Sequence, residues 1–204
     1  MSLFNDPNIV AKVQRKLPFL FQLAEAESRR AGKVGMEVGS KREQILIALL
    51  VYRFGAENVC TNVPITTPEV DVIIFGEPLS VKTITGSGGV KVVWTVDWDS
   101  VKRFVQWYEP RSDILLAQIK WDNEGGLFFI PKAVQTTLFQ ELGKDCYLSV
   151  PRQGTNPRGV EISRQALRAM LRDKGAQKIP IRWERTTVAM PEPYERWLEY
   201  WQRD

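Results

Sequence analysis

The sequence predicts a mixed α/β fold, a central mixed β-sheet flanked by helices. Two observations carry this expectation. An apolar stripe with helical spacing opens the 204-residue chain, and short β-branched runs bounded by Gly, Pro and Asp then alternate with helical stretches. Residues 8–30 place Ile9, Val13, Leu17, Phe21 and Ala24 on one helical face, and Pro18 is expected to kink or restart that helix. Residues 31–39 read as a glycine-punctuated connection. Ser40-Lys41-Arg42-Glu43 has capping-box spacing and opens an apolar helix through Tyr52. Residues 70–75 and 79–84 form a buried hairpin around Gly76-Glu77-Pro78, and residues 90–96 a further strand. Beyond them follow a helix over 99–108, strands over 114–121 and 127–130 joined by a turn, and a helix over 131–142 with proline in its first turn. A short strand over 147–150, a loop over 154–159, a helix over 163–174 and a strand over 178–183 complete the body. The length suits a single domain over 1–204, with 186–204 as a helical appendage whose Tyr194, Trp197, Leu198 and Trp201 pack on the body or on a second subunit.

Composition excludes several chemistries. Hydrophobic residues are 44% and charged residues 25%, as in a soluble globular protein. There is no histidine, so a Ser-His triad, a His-liganded zinc and a His-metal nuclease centre are all ruled out. Cys60 and Cys146 are too few for a disulfide framework or a four-thiolate metal site, and they read as small buried thiols. No secretory signal is apparent, and the apolar run 45–52 is far short of the roughly 20 residues a membrane span needs. The expectation is a cytoplasmic protein with no membrane partner.

Net charge is only +4, but its distribution is uneven. Residues 152–185 hold nine Lys or Arg against three Asp or Glu, which leaves the remainder slightly acidic. A basic block on an acidic body is the footprint of a phosphate-binding surface. Arg164, Arg168 and Arg172 recur every fourth residue and form one helical stripe, while Leu167, Met170 and Leu171 face inward.

Asp71 and Lys82 lie on the two arms of the expected hairpin. A Gly76-Glu77 turn pairs Phe75 with Pro78, and a four-residue loop pairs Ile74 with Leu79. Both registers set Asp71 opposite Lys82 on one face. An aspartate facing a lysine across a hairpin resembles the PD-(D/E)xK nuclease site, in which carboxylates hold Mg²⁺ and lysine orients or deprotonates the attacking water. The usual second acid, two residues before the lysine, is replaced by Ser80, a weak ligand. Glu43 on the preceding helix is the preferred substitute. Glu69, on the same strand face as Asp71, is the alternative. An ordinary ion pair and a helix cap would account for the same residues without any chemistry.

Four strings carry a more specific likeness: RAGKVGMEVG at 30–39, PEVDV at 68–72, SVKTITG at 80–86 and GTNPRGVEI at 154–162. In order and in composition they resemble the ThaI family of type II restriction endonucleases over about residues 7–185. The resemblance implies a PD-(D/E)xK restriction-endonuclease-like core. It also implies a catalytic set of Glu43, Asp71 and Lys82, and a Mg²⁺ site made by Glu43, Asp71 and the backbone carbonyl of Val81. The implied target is the palindrome CGCG in double-stranded DNA, cut to blunt ends. A palindrome suits a homodimer, and the host needs a cognate DNA methyltransferase that need not touch this chain. DNA contacts are expected from Thr83 and Thr85 beyond the lysine, from Asn156 and Arg158 in the 154–159 loop, and from Arg164. In the resemblance Met36 belongs to the DNA-contacting segment, where a flexible apolar side chain can enter the minor groove and wedge between base pairs. A structure-selective nuclease of the Holliday-junction-resolvase kind and a non-catalytic DNA-binding protein are the competing functions.

Overall fold

The computed structural model describes residues 1–30, 36–64, 67–95, 97–152, 159–187 and 201–202. Helices α1 (Pro7–Arg30) and α2 (Met36–Phe54) precede strands β1 (Val59–Cys60), β2 (Val72–Ile74), β3 (Glu77–Thr85) and β4 (Val90–Val93). Helix α3 (Trp98–Trp107) leads to β5 (Asp113–Ile119) and β6 (Glu124–Ile130), followed by α4 (Lys132–Leu142), α5 (Lys144–Tyr147) and β7 (Leu148–Ser149). Strand β8 (Val160–Ile162), helix α6 (Arg164–Met170) and strand β9 (Gln177–Arg182) come last. The expected mixed α/β class is what the structure has.

Six strands form one sheet in the order β1-β2-β3-β5-β6-β9, with β3 and β5 parallel and the other neighbours antiparallel. A parallel pair needs a long crossover, and here it carries β4 and α3. Strands β4, β8 and β7 make a separate small sheet, which local sequence patterning did not reveal. Both faces of the main sheet are covered. Leu79, Val81, Leu115, Ala117, Leu127 and Ile179 pack against α1 and α2, while Ile84, Leu116, Phe128 and Ile130 meet the small sheet and helices α3 to α6. Strands buried on both faces read as continuous apolar runs, which is why 114–119 lacks alternation.

Pro18 neither breaks nor restarts α1, which runs through it. Ile9, Val13, Leu17, Phe21 and Ala24 are all buried along that helix, and their packing outweighs the roughly 3 kcal/mol that an interior proline costs. Helix α2 differs from expectation at its start. It begins at Met36, so Ser40 lies inside the helix and Ser40-Lys41-Arg42-Glu43 is not a capping box. Gly39 is helical too. The expected connection therefore shortens, and residues 31–35 lie outside the described residues.

The hairpin register also differs. Ile74 pairs with Glu77 and Val72 with Leu79, so the two-residue turn is Phe75-Gly76, two positions away from either expected register. Phe75 and Gly76 have φ of 51° and 85°, the positive pair that a type I′ turn requires and that matches the twist of the strands. The two-residue turn makes Ile74 and Glu77 the narrow pair, so Pro78 sits where its backbone nitrogen points away from β2 and its missing N–H costs nothing. Because the shift is even, Asp71 and Lys82 stay on one face, but Asp71 now lies opposite Ser80.

Three further expectations are corrected. Helix α6 ends at Met170 rather than at 174: the amides of Arg172 and Asp173 donate to the carbonyls of Ala169 and Met170 in tighter turns, and Asp173 then accepts from the Gly175 amide at 2.7 Å. Arg172 therefore follows the helix instead of completing its stripe. Cys60 and Cys146 are exposed, not buried: Cys60 points outward from the two-residue edge strand β1 and Cys146 from the one-turn helix α5. Glu69 is not a strand residue, since β2 begins at Val72 and Glu69 sits in the preceding turn with φ of 60°. Of the C-terminal aromatics only Trp201 is described, and it is exposed; Tyr194, Trp197 and Leu198 lie outside the described residues.

Candidate active site

Asp71 is the organising carboxylate. Its Oδ2 accepts three hydrogen bonds, from Ser80 Oγ at 3.1 Å, the Val81 amide at 2.7 Å and Lys82 Nζ at 2.9 Å. Strand β2 stops one residue short of Asp71, so the Val81 amide has no backbone partner there and the aspartate side chain takes its place. A strand residue's carbonyl lies on the same edge as its amide, so the Val81 carbonyl is on the β2 side of β3. With every donor converging on Oδ2, Oδ1 has no partner among the described residues and is left open. Asp71 and Lys82 are partly buried, at 33% and 17% side-chain exposure, so their ion pair is only partly screened.

Glu43 comes from α2, in the helix interior. It is partly buried and accepts no hydrogen bond among the described residues. Burial pushes its carboxyl up to about 7; the Lys82 ammonium pulls it back and the Asp71 carboxylate raises it further. The fields of both residues therefore reach Glu43, which stands near the Asp71–Lys82 pair. Since Ser40 is not an N-cap, the helix-cap explanation of Glu43 falls away.

Glu69, the alternative second acid, is buried at 7% exposure and committed elsewhere. Tyr108 Oη donates to its carboxylate at 2.8 Å, and Ser112 Oγ donates to its carbonyl. Burial raises its pKa above the ordinary carboxylate range, against the hydrogen bond from Tyr108 and the nearby charges of Lys82 and Arg111. These bonds anchor the turn that delivers Asp71. Nothing local in the sequence announces this support: Tyr108 marks only the end of the helix expected over 99–108.

Of the expected DNA-contacting residues, Thr83 and Thr85 lie on β3 beyond Lys82, and Thr85 Oγ1 accepts a 3.1 Å bond from Arg42. Arg42 is buried and paired with Glu25, which also accepts from Trp121 Nε1 at 2.8 Å and Arg185 at 3.2 Å. This network ties α1, α2 and the end of β3 together beside Glu43. Arg164 is exposed and donates to Ser87 Oγ at 3.1 Å. Met36 is the first residue of α2, two turns and about 10 Å of helix before Glu43. Its side chain, like the whole of Asn156 and Arg158, lies outside the described residues.

Among the described residues no group of three His, Cys, Asp or Glu gathers as a metal cage. The pair of carboxylates with an adjacent backbone carbonyl nevertheless fits a hard, oxygen-seeking cation. A second carboxylate half-buried beside Asp71, with no hydrogen bond among the described residues, is costly to keep charged unless a cation compensates it.

The family model for the restriction endonuclease ThaI matches residues 3–203. The chain belongs to the ThaI restriction endonuclease family. As a family member it is a restriction endonuclease, a hydrolase that cleaves DNA. A solved structure described as a restriction endonuclease in complex with substrate DNA is 51% identical, with a TM-score of 0.90, and the match covers 98% of this chain and 97% of that one. No curated protein matches. No helix among the described residues is long and apolar enough to cross a membrane.

Proposed function

We propose that the protein is a Mg²⁺-dependent type II endonuclease that cuts both strands of a short palindrome, CGCG with blunt ends, as a homodimer of single-domain subunits. The observation that supports this best is the convergence of Glu43, Asp71 and Lys82 on one site, in a member of a family of DNA-cleaving enzymes. The Glu43 and Asp71 carboxylates and the Val81 carbonyl would hold the cation, which when bound polarises the phosphodiester and makes a water more acidic. Asp71 contributes through Oδ1, because Oδ2 is already engaged. Lys82 Nζ, held by Asp71 at 2.9 Å, orients the attacking water on the open side of the pair. Ser80, where a second acid usually stands, acts here as a donor that fixes the rotamer of Asp71.

DNA contacts are assigned to Met36, Thr83, Thr85, Asn156, Arg158 and Arg164. Met36, two turns before Glu43 on the same helix, wedges between base pairs from the minor groove, where pyrimidine-purine steps unstack at low cost. Arg158 pairs with O6 and N7 of guanine, as a G-rich target demands.

Digestion of plasmid DNA with and without Mg²⁺, followed by sequencing of the ends, tests the proposal. Discrete Mg²⁺-dependent bands with blunt ends at CGCG are expected. Cutting confined to branched junctions, or retarded but intact DNA, would overturn it. The mass of the complex in solution, one duplex per two chains, tests the dimer.

A further inference from the structure

Away from the three active-site residues, at the far end of the parallel strand pair, Ser87, Gly88, Gln118, Lys120, Arg164 and Arg168 line a groove of about 230 Å³. Arg172 closes it, and no carboxylate is among its lining residues. The groove walls are tightly built. The Gly86 amide donates to the Ile119 carbonyl at 2.8 Å, Gln118 Nε2 donates to the Gly86 carbonyl at 2.9 Å, and Arg164 donates to Ser87 Oγ at 3.1 Å. Gly89 fits only without a side chain, since a Cβ there would stand 2.5 Å from the Ile162 carbonyl. The loop after β3 is thereby pressed against β8, with open space over Gly88.

The cations are placed at a cost. Arg164 and Arg168 stand four apart on α6, where like charges repel. The guanidinium groups of Arg168 and Arg172 have no hydrogen bond or ion pair among the described residues, and Lys120 acts only weakly on Glu124. Among the described residues only the bond from Arg164 to Ser87 ties one of these cations to the fold, so their arrangement points to an anion from outside.

The groove lies on the same sheet face as Lys82. Lys82 pairs with Leu116 and Ile84 with Gln118, so Gln118 is the next position along that face, and Lys120 follows just past the end of β5. Four strand residues from Lys82 is about 13 Å, whereas successive phosphates of one strand advance about 3.4 Å along the duplex axis. The groove is therefore too far from the reacting bond to take the same phosphate, yet within reach of the same duplex.

We propose that Lys120, Arg164, Arg168 and Arg172 form a phosphate clamp that grips the DNA backbone a few nucleotides from the cleaved bond. The clamp carries affinity and register but no sequence information. It rests on the reading of the chain as a DNA-cleaving enzyme, which the plasmid digest tests separately: a wild-type protein that leaves DNA uncut overturns that reading itself.

The clamp is tested by fluorescence anisotropy on a CGCG duplex and a scrambled one over a salt series, with Arg168→Ala, Arg172→Ala, the double variant and Arg168→Lys. The double variant should weaken binding to both duplexes by the same factor. Its slope of log K against log salt should fall by about 1.8, the value for one lost phosphate contact in each of the two subunits. Arg168→Lys should restore most of the loss, and melting temperatures should not drop. A methylphosphonate scanned along the duplex should weaken the wild type at one flanking position to which the double variant is indifferent. Unchanged affinity and slope in the double variant would overturn the proposal. So would a loss confined to the CGCG duplex, or a fall in melting temperature with affinity intact.

Discussion

Glu43→Gln separates the chemical role of this residue from any structural one. Burial raises the Glu43 carboxyl from 4.5 to about 7, so between those values the folded protein keeps a proton that the unfolded chain has lost. Stability therefore falls as pH rises through that window and levels off above it. At about 1.4 kcal/mol for each tenfold step the displacement corresponds to at most about 3 kcal/mol, and partial solvent screening reduces it to about 1 to 2 kcal/mol. Glutamine has the same shape and no charge. The variant should match the wild type near pH 4.5 and melt about 2 to 8 °C higher at pH 8 in metal-free buffer. Mg²⁺ should raise the wild-type melting temperature at pH 8 and leave the variant nearly unmoved, because the variant has lost half of the carboxylate pair. DNA cleavage by the variant should be lost throughout. Differential scanning calorimetry from pH 4.5 to 8, with and without Mg²⁺, reads the first two effects and a plasmid digest the third. A stability difference independent of pH, or wild-type cleavage by the variant, would refute the reasoning.

Asp71→Asn should abolish cleavage and leave DNA affinity within a few-fold, since an amide oxygen cannot hold a hard cation while the arginine surface is untouched; gel retardation beside a digest checks both. Lys82→Ala should behave likewise. Tyr108→Phe removes the donor to the buried Glu69 carboxylate at 2.8 Å and should cost about 1 to 3 kcal/mol in urea denaturation at neutral pH. Gly125→Ala would set a Cβ 2.2 Å from the Gln118 carbonyl and 2.6 Å from the Trp183 indole nitrogen, and should lower the melting temperature by more than any surface substitution tested beside it.

How far the local pattern reaches is clearest in α1 and the hairpin. The stripe from Ile9 to Ala24 is a property of side-chain spacing, and it specified a helix and its buried face wherever that helix was to dock. The same stripe could not say that packing would carry the helix through Pro18. In the hairpin, the alternation of strand side chains specified which residues share a face, so Asp71 and Lys82 met although the turn formed at Phe75-Gly76 and the register moved by two. The absence of histidine and the cluster of arginines were likewise legible directly, because composition restricts chemistry without reference to position.

Everything that depends on distant segments arriving together was decided by the tertiary structure. The proton affinity of Glu43 is one such property, set by burial at the meeting of α2 with β3 and by two charges about 30 and 40 residues away in the chain. The anchoring of Glu69 by Tyr108 is another. The basic groove is the clearest. Arg164, Arg168 and Arg172 could be read as a stripe, but Gln118 and Lys120 lie at the end of β5 and Ser87 and Gly88 in the loop after β3. Periodicity describes one element against an unspecified interior. The parallel pairing of β3 with β5 and the docking of α6 are contacts between elements, and those contacts turn scattered cations into a single surface.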